Sequence, residues 1–188
     1  MPQNYTIIEL PGKSKFRLAT TDTNNPLENP GGVKSPEWMI QMDDVLASDV
    51  DSYNDYAELF GWHAESSRFT TGDISNSLFT SATLKHSDLI VMIPNAGYSA
   101  VLETRMNTGT PVELLTIVRL GNIKALKVKL QTIVYNICRI QSFQQQLDRL
   151  ILQMGVTSKV NTIFVYDQDG QNQGQVVSSV DYSKNTAQ

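Results

Sequence analysis

The sequence predicts a mostly β protein, an antiparallel two-sheet barrel or sandwich with one short flanking α-helix. Three observations carry that expectation. Residues 126–131 alternate, with Leu126, Val128 and Leu130 on one side and Lys127, Lys129 and Gln131 on the other. That period of two belongs to a strand with one face in a core and one in water. A Gly121-Asn122 pair stands between two β-rich runs, 111–120 and 123–138. Glycine tolerates the positive φ of tight hairpin turns, so the pair predicts the reversal of a central hairpin. Helical spacing is short-lived by comparison. Its best instance is Gly97 to Asn107, where Tyr98, Val101, Leu102 and Arg105 share a face and Gly109 is placed for a C-terminal cap.

In chain order, Tyr5 to Leu10 reads as a short strand closed by Pro11-Gly12, and Lys15 to Leu18 as a weaker one. Thr20 to Pro36 collects Thr, Asn, Pro and Gly, the chemistry of a loop or linker. The expected division is an extension or partly ordered arm at 1–35 and a β domain at 36–188. Trp38 to Val45 alternates as a strand. Asp43 to Tyr56 is rich in aspartate but lacks the ligand spacing and glycine of a calcium loop, so it reads as a solvated acidic loop. Tyr56 to Phe69 reads as one strand, Thr70 to Asn76 as a polar loop, and Leu78 to Met92 as a β run interrupted at His86-Ser87-Asp88. Past Gln131, the run Ile133, Val134, Tyr135, Ile137 predicts burial on both faces or contact with a neighbouring chain. Over 140–154 the signals conflict: Ile140, Phe143, Leu147, Leu150, Ile151 and Met154 have helical spacing around a glutamine triplet, which favours a helical turn or short helix over 142–149, while Leu150-Ile151-Leu152 reads equally as the start of a strand. Val156 to Tyr166 and Gln175 to Tyr182 are the last strands, joined by a turn at 167–170.

The chain has 188 residues, 40% hydrophobic and 18% charged, with a formal net charge of −4. That is enough for one ordinary domain with a real core. The acidic balance argues against nucleic acid, which needs a clustered basic surface. The lysines from Lys124 to Lys129 alternate with apolar residues and read as a solvated strand face. The one cysteine, Cys138, lies in an apolar run and reads as a small buried hydrophobe. No stretch approaches the roughly 18 apolar residues of a membrane helix. The first residues lack the basic start and apolar core of a secretory signal. The expectation is synthesis in the cytoplasm, with any export reading the folded protein, and no membrane insertion.

No catalytic constellation emerges, and no cofactor or metal is expected. His86-Ser87-Asp88 holds the three residue types of a nucleophilic triad, but adjacent strand residues point to opposite faces. With His63 and His86 the only histidines and one cysteine, a zinc site has too few ligands. No glycine-rich loop leads into a helix as a phosphate cradle does.

The order of several landmarks resembles one family. Glu37-Trp38-Met39-Ile40-Gln41-Met42-Asp43-Asp44-Val45 is similar to its opening strand, Phe60-Gly61-Trp62-His63 to its second, and Lys85-His86-Ser87-Asp88-Leu89 to the strand leading toward its helix. Gly97 to Arg105 takes the place of that helix, with Thr108-Gly109-Thr110 after it. Arg119 and Gly121 stand where the family has an Arg and a Gly at the hairpin. Phe164-Val165-Tyr166-Asp167-Gln168-Asp169-Gly170 is similar to its aromatic strand and polar turn, and Asp181 and Asn185 fall at its closing positions. On these residues, from Glu37 to Gln188, the chain resembles Hcp, the haemolysin-coregulated tube protein of bacterial type VI secretion. It departs at Ile93-Pro94-Asn95-Ala96-Gly97, at 140–154, and in the segment 1–35, which has no counterpart in a typical member.

The resemblance implies a two-sheet barrel and six copies closing into a ring. It also implies stacking into a tube inside a contractile sheath, a spike protein at the tip, expulsion together with effectors, and secretion without a cleavable signal peptide. An Hcp-like effector or adaptor, with 1–35 engaging a cargo, is the second reading. A barrel for a small ligand, with Trp38, Phe60 and Trp62 lining a lumen, is the third.

Overall fold

The computed structural model describes residues 5–8, 16–20, 37–48, 52–70, 82–123, 126–184 and 186–187. Apart from Thr20 and Thr70, the expected loops at 20–36 and 70–76 lie outside these residues, as do Asp49, Asp51, Lys124 and Asn185. Fourteen strands and one helix follow in order: β1 (Tyr5–Ile8), β2 (Phe16–Thr20), β3 (Trp38–Met42), β4 (Ala57–Glu58), β5 (Gly61–His63), β6 (Ser66–Thr70), β7 (Ala82–His86), β8 (Leu89–Pro94), α1 (Ser99–Thr108), β9 (Val112–Ile123), β10 (Leu126–Gln145), β11 (Arg149–Gly155), β12 (Ser158–Tyr166), β13 (Asn172–Asp181) and β14 (Thr186–Ala187). The fold is mostly β with a short helix, as the alternation predicts.

All pairings are antiparallel. One sheet runs β1-β2-β5-β8-β11 and ends on the second half of β10. The other runs β4-β3-β9, the first half of β10, then β12-β13-β14. β6 and β7 form a separate hairpin. β10 is the shared strand. Along one side it pairs with β9 from Leu126 to Cys138. Along the other it pairs with β12 up to Asn136 and with β11 from Arg139.

The main core lies between the two sheets. Ile40 and Met42 meet Leu115 and Ile117 from one side, with Leu89, Val91, Ile93, Leu150, Leu152 and Met154 from the other. Full burial of each such side chain is worth about 1.5–3 kcal/mol. β8 is buried on both faces, because Ile90 and Met92 pack with Ile151 and Phe60 on its far side. On the outer face of the second sheet, Tyr53 and Tyr56 cover Met39, Val118 and Leu120. The acidic loop therefore folds back as a cover, with Gln41 Nε2 hydrogen-bonded to Asp55.

Irregularities in β10 explain its sequence. Lys129 opposes Leu120 on the outer face, whereas Ile133 opposes Ile117 in the core, although both positions are odd. A register shift at Leu130 reverses the parity between them. Ile137 stands at φ +49 where β10 exchanges β12 for β11. Burial passes there from Ile133 and Tyr135 to Cys138 and Ile140, and Ile137 itself is 41% exposed. The expected burial of the run on both faces does not hold: Ile133 and Tyr135 are buried on one face, Val134 on the other is half-buried, and Ile137 is exposed.

Four expectations need correction. The hairpin does not reverse at Gly121-Asn122. β9 continues to Ile123, which pairs with Leu126, while Gly121 pairs with Val128 as a strand residue. Glycine there makes room: a Cβ would lie 2.5 Å from Leu130 Cδ1. The expected helix at 142–149 is instead the end of β10, a turn and the start of β11. A register shift between Ile140 and Ser142 spaces the inward residues Ile140 and Phe143 three apart, which imitates a helix. The single strand expected over 56–69 is three short strands, because the chain crosses from one sheet to the other there. In α1, Leu102 is buried and Tyr98 nearly so, but Val101 is exposed. Gly109 closes the helix at φ +70, as its position predicts.

Candidate assembly surface

The landmark residues collect into three groups. In the first, Trp38 of β3 and Trp62 of β5 bring the two sheets together with ring centroids 5.8 Å apart. Arg119, directly across the ladder from Trp38, lies over its ring at 5.6 Å and pairs with Glu37 at 2.8 Å. Beside this pair is a cavity of about 280 Å³, lined by Glu37, Arg119, Leu120, Gly121, Lys127 and Leu130. Lys127 and Lys129 reach over the Tyr53 ring, at 6.0 and 5.7 Å. His63 sits next to Trp62, paired across the ladder with Ile90. Phe60 packs on the opposite face of its sheet from Trp62, so the three aromatics do not line one lumen.

In the second group, Asp43 closes β3 at φ +48 and binds α1 and β9 at once. Its carboxylate pairs with Arg105 and accepts from Leu114 N at 2.9 Å and, more loosely, from Glu113 N at 3.4 Å. Burial pushes this carboxyl up, but the Arg105 hydrogen bond and the Leu114 amide outweigh it and hold it below the ordinary carboxylate value. The sequence places Arg105 on a helix face and Asp43 at the head of an acidic loop; nothing local in the sequence links them.

In the third group, His86 and Tyr182 stack at 4.0 Å, and Tyr182 OH lies 3.0 Å from Ser66 Oγ. Ser87 Oγ accepts from Glu65 N and donates to the carbonyl of Asp88, while Asp88 accepts from Gln153 Nε2. His86 Nδ1 lies 3.2 Å from the Ser87 carbonyl. The His-Ser-Asp run makes no triad; its members fasten β7, β8 and the turn after β13. Among the described residues there is no cluster of acidic, His or Cys side chains able to hold a metal. Cys138 is buried, and burial pushes its thiol up to about 12, far from a reactive thiolate. No helix of the described residues is long and apolar enough to cross a membrane.

The β12–β13 hairpin completes the landmarks. Tyr166 OH donates to the Lys129 carbonyl at 2.9 Å. Asp167 turns the chain by accepting from the Asp169 and Gln171 amides, and Gly170 supplies φ +82. Asp181 caps the following turn through Ser183 and Lys184. What the landmarks did not reveal is the face of this hairpin. Ile163 and Val176 oppose each other, Val165 lies two residues on, and all three are exposed, Val176 at 63%. They continue the side of the sheet on which Ile133 and Tyr135 are buried, since Ile133 pairs with Asn161 and Tyr135 with Lys159. β14 pairs only with Val180 and Asp181; among the described residues nothing pairs with the β13 edge from Asn172 to Ser179. That edge has no proline and no charged residue, and its one irregularity is a bulge at Gln173-Gly174 near the hairpin tip, so Gln175 to Ser179 lack the usual devices that stop an edge strand from pairing. The repeated Val-Val and Gln of 173–177 is the signal that could have found it.

No family model matches the chain, and no curated protein matches it in sequence. Solved structures do. A structure described as a type six secretion system protein superposes with a TM-score of 0.71 at 14% identity, covering 82% of this chain and all of that one. Hcp1 from Salmonella typhimurium gives 0.62 at 13% identity, over 80% of this chain and 97% of its own. A type VI secretion system effector from Yersinia pestis gives 0.56 at 13% identity, over 77% and 98%. At such identities the likeness is one of fold, and it spans those chains nearly end to end: the chain has the Hcp fold.

Proposed function

We propose that the chain is a subunit of the inner tube of a type VI secretion machine. Copies close into a ring-shaped hexamer, rings stack, and the tube is expelled with effectors past a contractile sheath, behind a spike protein. The subunit is exported folded. It carries no catalytic step and no cofactor. In this reading residues 36–188 are the tube body and 1–35 an added arm.

The observation that carries the reading is the β12–β13 hairpin. An open, uncharged edge with Ile163, Val165 and Val176 exposed beside it is costly for a monomer to display. A heterologous contact between identical copies covers such a surface and, when the rotation closes, makes a ring. Twelve of the landmark residues then serve as the frame: Trp38, Trp62, His63, Arg119 and Gly121 at one junction of the sheets, Asp43 at the helix, His86, Ser87, Asp88 and Asp181 around the β7–β8 turn and the turn after β13, and Tyr166 and Gly170 at the hairpin tip.

Light scattering followed by negative-stain imaging tests this. Six-fold rings with an open centre are the expected result, and Val176→Asp should disperse them. A protein that stays monomeric at all concentrations overturns the reading.

A further inference from the structure

The most exposed large apolar side chain among the described residues is Leu147, 99% accessible at the β10–β11 turn. An isolated exposed leucine is ordinary. Its mounting is not. Asn95, just ahead of α1, fastens the turn from three directions. Its amide N donates to the Asp148 carbonyl at 3.2 Å, its Nδ2 donates to the Gln146 carbonyl at 3.0 Å, and its Oδ1 accepts from Gln145 Nε2 at 3.1 Å. Ser99 Oγ holds that same Oδ1 at 2.9 Å, and Gln146 N closes the turn on the Arg149 carbonyl. The leucine is therefore presented on a fixed platform, with the ordering cost of docking already met.

Near the start of β10 lies the cavity beside Gly121. Leu120 and Leu130 give it an apolar floor, and the missing Cβ of Gly121 keeps it open toward Leu130. Its rim carries Arg119, Lys127 and Glu37. The leucine is followed by Asp148 and Arg149, which pair with each other at 2.7 Å. An acid and a base on one side of an apolar knob face a rim of two bases and one acid around an apolar hole. The charges are complementary in sign, and apolar meets apolar.

We propose that Leu147 of one copy seats in the Leu120–Gly121–Leu130 cavity of a second copy, with Asp148 toward Lys127 and Arg149 toward Glu37. The contact is heterologous: the knob and the hole are different surfaces, one past the end of β10 and one near its start. It rests on the tube reading and specifies which residues join successive copies.

The test uses two single variants, Leu147→Cys and Asn122→Cys, the latter on the cavity lining. They are co-produced in the full chain under different tags and exposed to oxidised glutathione. The expected result is a covalent dimer carrying both tags, absent when either variant is produced alone. In parallel, Leu147→Asp should weaken association at least tenfold, while Leu147→Met should leave it within about twofold. Rings or tubes of the wild type with no mixed-tag dimer would overturn the knob-and-hole contact while leaving the tube reading standing. A wild type that never associates would overturn both.

Discussion

Replacing Arg105 by methionine tests how the helix is held. The substitution keeps most of the apolar stem and deletes the partner of Asp43. The two side chains are 23% and 22% exposed, which places the pair between a surface bridge, worth about 0–1 kcal/mol, and a buried one, whose breaking costs about 3–5. The Leu114 and Glu113 amides remain on the carboxylate and spare it full isolation. The expected loss is about 2 kcal/mol. Asp43→Asn retains an acceptor and tolerates the positive φ, so it should cost about 1 kcal/mol, whereas Asp43→Ala loses both and should cost about 3. The pH dependence has a definite sign. The folded carboxyl sits below its unfolded value, so the pair's contribution is fully present above about pH 4 and disappears as pH falls through the folded value. Urea unfolding, followed by Trp38 and Trp62 fluorescence at one protein concentration, should show wild type and Arg105→Met converging on acidification. A gap under about 0.5 kcal/mol at pH 7, or one that widens as the pH falls, would refute this account.

Three other substitutions probe the shared strand. The Tyr135 hydroxyl is buried with no hydrogen-bond partner among the described residues, so Tyr135→Phe should stabilise by about 1 kcal/mol and raise the Tm by about 2–4 °C in calorimetry; a loss of similar size would mean the hydroxyl has a partner after all. Ile137 is a β-branched residue at φ +49, so Ile137→Asn should gain about 0.5–1 kcal/mol in chemical denaturation while Ile137→Val gains nothing. Gly121→Ala drives a Cβ to 2.5 Å from Leu130 Cδ1, and should cost about 1 kcal/mol and reduce association together with Leu147→Asp rather than in addition to it.

The strands were legible where pleating was regular. Trp38-Met39-Ile40-Gln41-Met42 and the run from Val156 announced themselves, and Gly109 marked the helix end because its αL cap is a local requirement. What misled was non-local. The spacing of Ile140, Phe143 and Leu147 is the sum of a register shift and a turn, and neither has a composition of its own. Gly121 looked like a turn because glycine is usually explained by φ; here the reason is Leu130 from the facing strand. The Asp43–Arg105 pair spans 62 residues of sequence, and the fastening of Leu147 depends on Asn95 some fifty residues earlier. Trp38, Asp43, Arg119 and Tyr166 are places where distant segments are tied, whereas Gly170 and Asp181 serve local turns. The exposed face of β12–β13 could be read only once the sheet had an inside.

β10 serves two sheets with one backbone. Its amides and carbonyls from Gln131 to Asn136 are flanked by β9 on one side and β12 on the other, and past Ile137 it belongs to β11. Neither sheet opens without releasing a strand that the other also needs, so the amides of 132–135 should exchange with solvent only through global unfolding. Under a pushing or pulling load the two sheets are connected in series through Ile137. A chain wired this way carries force from one layer to the other along a single covalent strand rather than across side-chain packing alone.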